Sequence, residues 1–424
     1  MNLRAGGDKL IKITVVGPTD RLNRGTEALI LSRVKIMDQF FNRPYFFVQY
    51  ASNLASIPKQ FISNPKIEPY KKTALILPAF ESLNTPMILI SALLWRILSN
   101  FVKADFLLSW NEELNAVKSS DIVVTTGGDV LSEDYGLFSF LIHFFALFLS
   151  ILLKKPFIVF AESVGPFKSS ITASIAKFIL SKAALITVRD EISLNHIDKL
   201  GVKGPVYLTA DSAFLLDKKD VRNPLMDDFM ENDNLIGFSI SNAIAEWGGG
   251  SYDEYIELIT EVIDTIIENY EANVILIAHV TIDGLNDDRL INQRVFDGLR
   301  NKKRVFNLNE DYSSEELKGI ISKCDLFVGA RMHANIAALS TCVPVVAISY
   351  SIKTPGLMKL CGLEDYYIEF KDLTEDQLIS KISEAWENRD DIKKHLEKVI
   401  PRIKRKALRN GELVRELCDS LGIT

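Results

Sequence analysis

Polar and apolar positions along this chain fall into two alternating kinds of block. The first kind is short and apolar at nearly every position: Lys12–Val16, 121–126, 157–161, Leu185–Val188 and Val206–Leu208. Runs that are apolar throughout, without alternation, predict strands covered on both faces. Each is closed by a glycine or a polar break and followed by a longer stretch with apolar residues three and four apart. One such stretch opens at Arg24-Gly25-Thr26-Glu27 and continues with Ala28, Leu29, Leu31 and Val34; others start at Leu137, cover 170–182 and start at Glu191. These predict helices. Repeated strand-then-helix units predict a parallel sheet with helices on both faces.

The rhythm breaks over 217–234, which is rich in Asp, Asn, Lys and Arg and reads as a linker. A second series then begins. Strands are expected at Leu235–Ser239, 274–278, 304–308, 325–328 and Val345–Ser349. A helix is expected over 252–269, with Ile256, Ile259, Ile263, Ile266 and Ile267 on one side. Another is expected over 314–322, behind the capping signature Ser313-x-x-Glu316. The expected division is an N-terminal α/β domain over 1–217, a linker over 218–234 and a C-terminal α/β domain over 235–424, with a cleft between them and no sequence repeat relating the halves.

Composition narrows the class. The chain has 424 residues, 47% hydrophobic and 25% charged, which is a globular balance. A net charge of −6 argues against a general nucleic-acid binder. Cys324, Cys342, Cys361 and Cys418 lie far apart without a C-x-x-C pair, as expected of reduced cysteines in a cytoplasmic protein without zinc. The apolar stretch 10–17 is too short for a signal peptide and reads as a strand. Two segments complicate this picture. Residues 137–153 carry no formal charge, and 87–102 carry only Arg96. Both fall short of a comfortable membrane span. Each is either a buried helix of an α/β layer or a helix lying on the inner face of a membrane. The basic run 393–409, with Lys404-Arg405-Lys406, is either a solvated helix face or a contact for anionic lipid. Self-association is left open.

Candidate chemistry collects at strand ends. Gly329 ends a strand, Arg331 and His333 follow at once, and an Ala/Ile/Leu-rich helix begins behind them. In open α/β sheets ligands bind at the carboxyl ends of strands, and a helix N-terminus there favours an anion. The next strand end adds Tyr350 and Lys353. The alternative is that Arg331 holds a buried carboxylate and His333 satisfies the helix start. Arg189 has the same two readings: an oxyanion, or a pair with Asp190 or Glu191. Gly127-Gly128-Asp129 follows a strand and is a weak phosphate-loop pattern. There is no P-loop, no G-x-S-x-G elbow and no D-x-D to hold a metal-bound nucleotide sugar.

Taken together, these strand ends resemble the polysaccharide pyruvyl transferases, from about residue 12 to 370. The residues that carry the resemblance are Gly17; Asn23-x-Gly25-x-Glu27; Gly127-Gly128 with Leu131; Val164-Gly165-Pro166; Val188-Arg189-Asp190; Ala210-Asp211; and Gly329-Ala330-Arg331-Met332-His333 with Ala337-Ala338, Pro344, Tyr350 and Lys353. The resemblance implies two Rossmann-like doubly wound domains facing a cleft, a GT-B-like arrangement. It also implies transfer of the enolpyruvyl group of phosphoenolpyruvate onto a sugar of a polysaccharide or its lipid-linked precursor, as a pyruvate ketal. Phosphoenolpyruvate would be a co-substrate, with no metal and no further cofactor.

In that reading Arg189, Arg331, Lys353, Met332, Gly127 and Gly128 bind the donor. His333 is the general acid. Asn23, Gly25, Glu27 and His279 face the acceptor. Arginine forks suit phosphate and carboxylate better than lysine does, and an imidazole is the natural proton donor to the enol methylene. Plainer roles remain for three residues: Asn23 caps its helix, His279 is incidental, and Asp211 orders the loop entering the linker. The chain departs from the family pattern at Asp129, where a third glycine is common, and at Glu162, where glutamine is common. Two alternatives stand beside this reading: a glycosyltransferase using a nucleotide sugar, and a non-catalytic partner in polysaccharide assembly.

Overall fold

The computed structural model describes residues 10–42, 44–50, 57–62, 64–71, 84–230, 234–244, 251–282, 286–350 and 353–423. The chain forms two compact units. The first gathers the described parts of 1–21, 29–212 and 406–424; the second gathers 22–28 and 213–405. The expected boundaries at 217 and 235 are simpler than this. Residues 22–28 belong with the second unit and the C-terminal end of the chain with the first. The stretch expected as a linker holds the helix Pro224–Met230, and Lys219 N–H donates to Glu315 O at 2.9 Å, so its described part is packed into the second unit. Residues 231–233 of it lie outside the described ones.

The first unit contains β1 (Lys12–Val16), β2 (Tyr45–Tyr50), β3 (Ile67–Lys71), β4 (Ile122–Thr125), β5 (Gly128–Leu131), β6 (Phe157–Val164), β7 (Leu185–Val188) and β8 (Val206–Leu208). Their order is β3-β2-β1-β4-β6-β7-β8, with β5 pairing beside β6, and every pairing is parallel. β1, β4, β6 and β7 are almost wholly buried, as their continuous apolar runs predict. β6 runs three residues beyond the expected end at Ala161. Ala161 has φ +50°, and the register shifts between Val159 and Glu162. Such a bulge re-aims the side chains after it. It places Glu162 and Ser163 at the carboxyl edge of the sheet.

The second unit contains β9 (Leu235–Ser239), β10 (Asn273–Ile277), the two-residue pair β11 (Thr281–Ile282) and β12 (Asn286–Asp287), then β13 (Val305–Leu308), β14 (Leu326–Gly329), β15 (Val345–Ser349) and β16 (Tyr367–Glu369). The main sheet is parallel, in the order β13-β10-β9-β14-β15-β16. That is the doubly wound order of a Rossmann domain, with the strand order reversing between β9 and β14. The capping box at Ser313 and Glu316 forms as expected. The basic run lies in the helix Arg389–Ser420, whose inner face carries Ile392, Leu396, Ile400 and Ile403 while Lys393, Lys394, Arg405 and Lys406 are exposed.

Candidate active site

The carboxyl ends of β9 and β14 lie side by side, joined by Ala330 N–H donating to Ser239 O at 2.9 Å. The chain then turns into the helix Met332–Leu339, with Arg331 in extended conformation as its N-cap. Asn335 Nδ2 donates to Gly329 O at 3.0 Å and ties the helix back to the strand. Arg331 and His333 therefore sit at the topological switch point, on the strand-to-helix turn that the sequence predicts.

The Arg331 side chain is nearly buried, and its fork is engaged. Nε donates to Asp288 Oδ2 at 3.1 Å, and Nη2 donates to Asp288 Oδ1 and Asn286 Oδ1, both at 2.6 Å. Asp288 is 0% exposed and also accepts the backbone N–H groups of His279, Val280 and Asn242. Burial opposes the charge on Arg331, but Asp288 outweighs it, with Tyr350 adding to the effect, and the guanidinium is held above its ordinary pKa. The buried-carboxylate alternative for Arg331 is thus realised, in a geometry that fixes the plane of the fork. Asp288 is a residue that sequence reasoning missed. It lies 43 positions from Arg331, and nothing local marks it beyond the acidic start of the helix Asp288–Gly298.

His333 is packed against residues from the other end of the chain. Thr281 N–H donates to Leu22 O at 2.8 Å, Asn23 pairs with Val280 as an isolated bridge, and Arg24 N–H donates to His279 O at 3.0 Å. This strand-like pairing holds 22–24 against 279–281, just past the carboxyl end of β10. A Cβ on Gly25 would come within 2.5 Å of His333 Nδ1, so glycine is what permits the close approach. His279 is 3% exposed, and neither ring nitrogen has a hydrogen-bond partner among the described residues. Burial, then the neighbouring His333, Arg331 and Arg24, push it well below the ordinary imidazole pKa. It is a neutral imidazole at neutral pH.

The four residues expected to face the acceptor thus divide. Gly25 abuts His333, and the two histidines interact electrostatically. Asn23 instead accepts from Gly25 N–H at 3.0 Å and Thr26 N–H at 3.2 Å, which is the capping role. Glu27 accepts from Ser314 N–H at 2.7 Å at the start of another helix. All four belong to the second unit, the one that carries His333, because the backbone pairing to 280–281 holds 22–28 there. Met332 opens the helix Met332–Leu339, and Lys353, 9% exposed, opens the helix Lys353–Cys361 after β15.

Arg189, Gly127 and Gly128 lie in the first unit. Arg189 directly follows β7; its Nη1 donates to Asp211 Oδ2 at 2.6 Å and its Nε to Ser163 Oγ at 2.8 Å. Its partner is neither Asp190 nor Glu191. Asp190 caps the helix Glu191–Leu200 by accepting from Ser193 N–H. Asp211 does more than order a loop: burial works against the charge on Arg189, and Asp211, Asp129 and Asp190 outweigh it. Gly127 has φ +84° and donates its N–H to Glu162 Oε1 at 2.9 Å. A Cβ there would meet Arg33 Nη2 at 2.8 Å. Arg33 is fully buried over the Phe160 ring, and its Nε and Nη1 have no partner among the described residues. Burial pushes Arg33 down to about 9 and Glu162 up to about 7, each held back by the other's charge. Sequence reasoning missed Arg33 because it looks like any charge on a helix face.

A family model described as polysaccharide pyruvyl transferase matches residues 31–352. The chain belongs to the polysaccharide pyruvyl transferase family. It is therefore a transferase. Among curated relatives, the amylovoran biosynthesis protein AmsJ of Erwinia amylovora is 25% identical over 333 residues, covering 76% of this chain and 78% of that protein. Among solved structures, a putative UDP-N-acetylglucosamine 2-epimerase of Listeria monocytogenes matches with a TM-score of 0.64 at 13% identity, covering 98% of each chain. The UDP-GlcNAc 2-epimerase of Neisseria meningitidis, bound to UDP-GlcNAc, matches with a TM-score of 0.59 at 12% identity, covering 97% of this chain and 99% of that one. At such identities the likeness shows the fold: two Rossmann-like domains of the GT-B-like class.

Proposed function

We propose that this family member transfers the enolpyruvyl group of phosphoenolpyruvate onto a sugar of an exopolysaccharide or its lipid-linked precursor, forming a pyruvate ketal. The observation that carries the reading is the turn after β14. There His333 lies against Gly25, beside the clamped Arg331 and the neutral His279. His333 protonates the donor's methylene carbon and leaves a cationic carbon at C2. One sugar hydroxyl attacks that carbon and gives up its proton. A second hydroxyl forms the second C–O bond as the C2–O bond to phosphate breaks, and its proton goes to the inorganic phosphate that leaves. Arg331 and Lys353 supply positive charge for the donor's phosphate and carboxylate. The Asp288 clamp keeps the Arg331 fork from spending rotamer freedom on binding. The donor is a co-substrate, and the proposal requires no further cofactor. The relative named for amylovoran biosynthesis supports the exopolysaccharide setting.

The test is incubation of the protein with phosphoenolpyruvate and candidate glycans. It reads phosphate release and the mass of the product, which gains one pyruvic acid less one water. His333→Asn keeps size and hydrogen bonding but cannot deliver a proton, so turnover falls by about 10²–10⁴ while donor binding holds. A melting temperature raised by nucleotide sugars and unmoved by phosphoenolpyruvate would support a glycosyltransferase in its place. No response to either donor would support a partner without catalysis, consistent with the departures at Asp129 and Glu162.

A further inference from the structure

The helix Asn84–Leu98 of the first unit carries two apolar stripes where a surface helix normally has one. Ile88, Ala92 and Trp95 form the inner stripe and are buried. The outer stripe is Met87, Ile90, Leu94 and Ile97, continued by Phe101, and it is 51%, 55%, 43%, 59% and 81% exposed. Those positions follow one another at helical spacing, three or four apart. The helix Gly136–Leu152 packs beside it and exposes Leu137, Phe138 and Leu141. Neither helix contains an Asp or a Glu. A contiguous exposed apolar face on a globular domain marks an interaction surface.

Charge says what covers it. The C-terminal ends of both helices are joined by Arg96, whose Nη1 donates to Ile151 O at 2.8 Å and Leu152 O at 3.3 Å. Lys154 Nζ donates to Asn100 Oδ1 at 2.8 Å, and exposed Lys103 follows Phe101. Three cations thus rim one end of the apolar face. The nearby acid, Asp105, accepts from Trp95 Nε1 at 2.8 Å and lies 3.9 Å from Lys118. Half-exposed Trp110 donates its Nε1 proton to Ser91 Oγ at 3.1 Å, placing an indole at the same face. No helix among the described residues is long and apolar enough to cross a membrane. An apolar helix face rimmed by lysine, arginine and tryptophan is the pattern of a helix lying in the bilayer interface.

We propose that these two helices dock the first unit onto the surface of an anionic lipid bilayer. The outer stripe enters the acyl boundary, and Arg96, Lys103 and Lys154 meet the headgroups. The inference stands on this face alone and is independent of the donor chemistry.

The test is cosedimentation of the full chain with vesicles of phosphatidylethanolamine and phosphatidylglycerol, and with vesicles of phosphatidylcholine alone. The wild type pellets with the anionic vesicles and less with the neutral ones. The variant Ile90→Glu/Ile97→Glu/Phe101→Glu lowers partitioning by at least about tenfold, since each change removes buried apolar area and adds like charge. A second variant, Lys103→Glu/Lys154→Gln, lowers it on the anionic vesicles only and leaves the apolar face intact. Circular dichroism checks that both variants fold. If the triple variant does not fold, the second variant and the lipid dependence of the wild type decide. Wild type that stays in the supernatant would overturn the proposal, as would pelleting of the folded triple variant at the wild-type level. A wild-type dimer that the triple variant breaks, with no vesicle binding, would show that a second copy covers the face.

Discussion

Replacing Glu162 with glutamine should change how the stability of the protein depends on pH. Glu162 is completely buried, and burial raises its pKa from 4.5 to about 7 against the opposing pull of Thr125, Arg33, Arg189 and the Gly127 N–H. A carboxyl whose folded-state pKa lies above its unfolded one binds more protons in the folded state. Its contribution is full below the unfolded value, declines as pH rises and is lost on passing the folded value. The interval between 4.5 and about 7 corresponds to roughly 3 kcal/mol. Glutamine has no such titration. The difference in unfolding free energy, Glu162→Gln minus wild type, should therefore grow by about 2–3 kcal/mol between about pH 5 and about pH 8, since groups that do not interact with Glu162 cancel in the difference. Urea titrations followed by tryptophan fluorescence measure it, with Trp95 buried in the same unit as a reporter. A difference that does not change with pH, or that shrinks as pH rises, would refute the argument. Either result would mean that Arg33 and Arg189 hold Glu162 ionised throughout.

Two further substitutions probe the turn after β14. Alanine at Gly25 would ordinarily favour the helix by about 1 kcal/mol. Here its Cβ would lie 2.5 Å from His333 Nδ1, so turnover should fall at least about tenfold by displacement of the imidazole. Full turnover in a protein with a raised melting temperature would contradict that packing. Asp288→Asn removes the charge that balances a buried Arg331, and urea unfolding should show a loss of roughly 3–5 kcal/mol. A loss below about 1 kcal/mol would show that the clamp is not what holds the arginine.

The fully buried strands were legible in the sequence, because a short run apolar at every position and closed by glycine suits a strand covered on both faces. β1, β7, β9 and β15 form over the expected residues, and so does β8, though as an edge strand with Tyr207 and Leu208 exposed. The turn carrying Arg331 and His333 was legible for a related reason: its strand, its helix and its polar residues are contiguous. β3 was not, since Pro69 interrupts it; proline is tolerated there because β3 is an edge strand with one neighbour. The last part of β6 was not, since Glu162 and Ser163 look like a loop until the Gly127 N–H and Arg189 are seen to bond them.

Tertiary structure alone decided the partners. Arg331 meets Asp288, Arg189 meets Asp211, and Arg33 turns inward to Glu162 and Phe160, each across a separation that carries no local periodicity. It also decided that Gly25, early in the chain, lies against His333. Hydrophobic period specifies which face of an element is buried. Which buried charge meets which depends on how the chain crosses between strands, and that is set by the sheet order rather than by neighbouring residues.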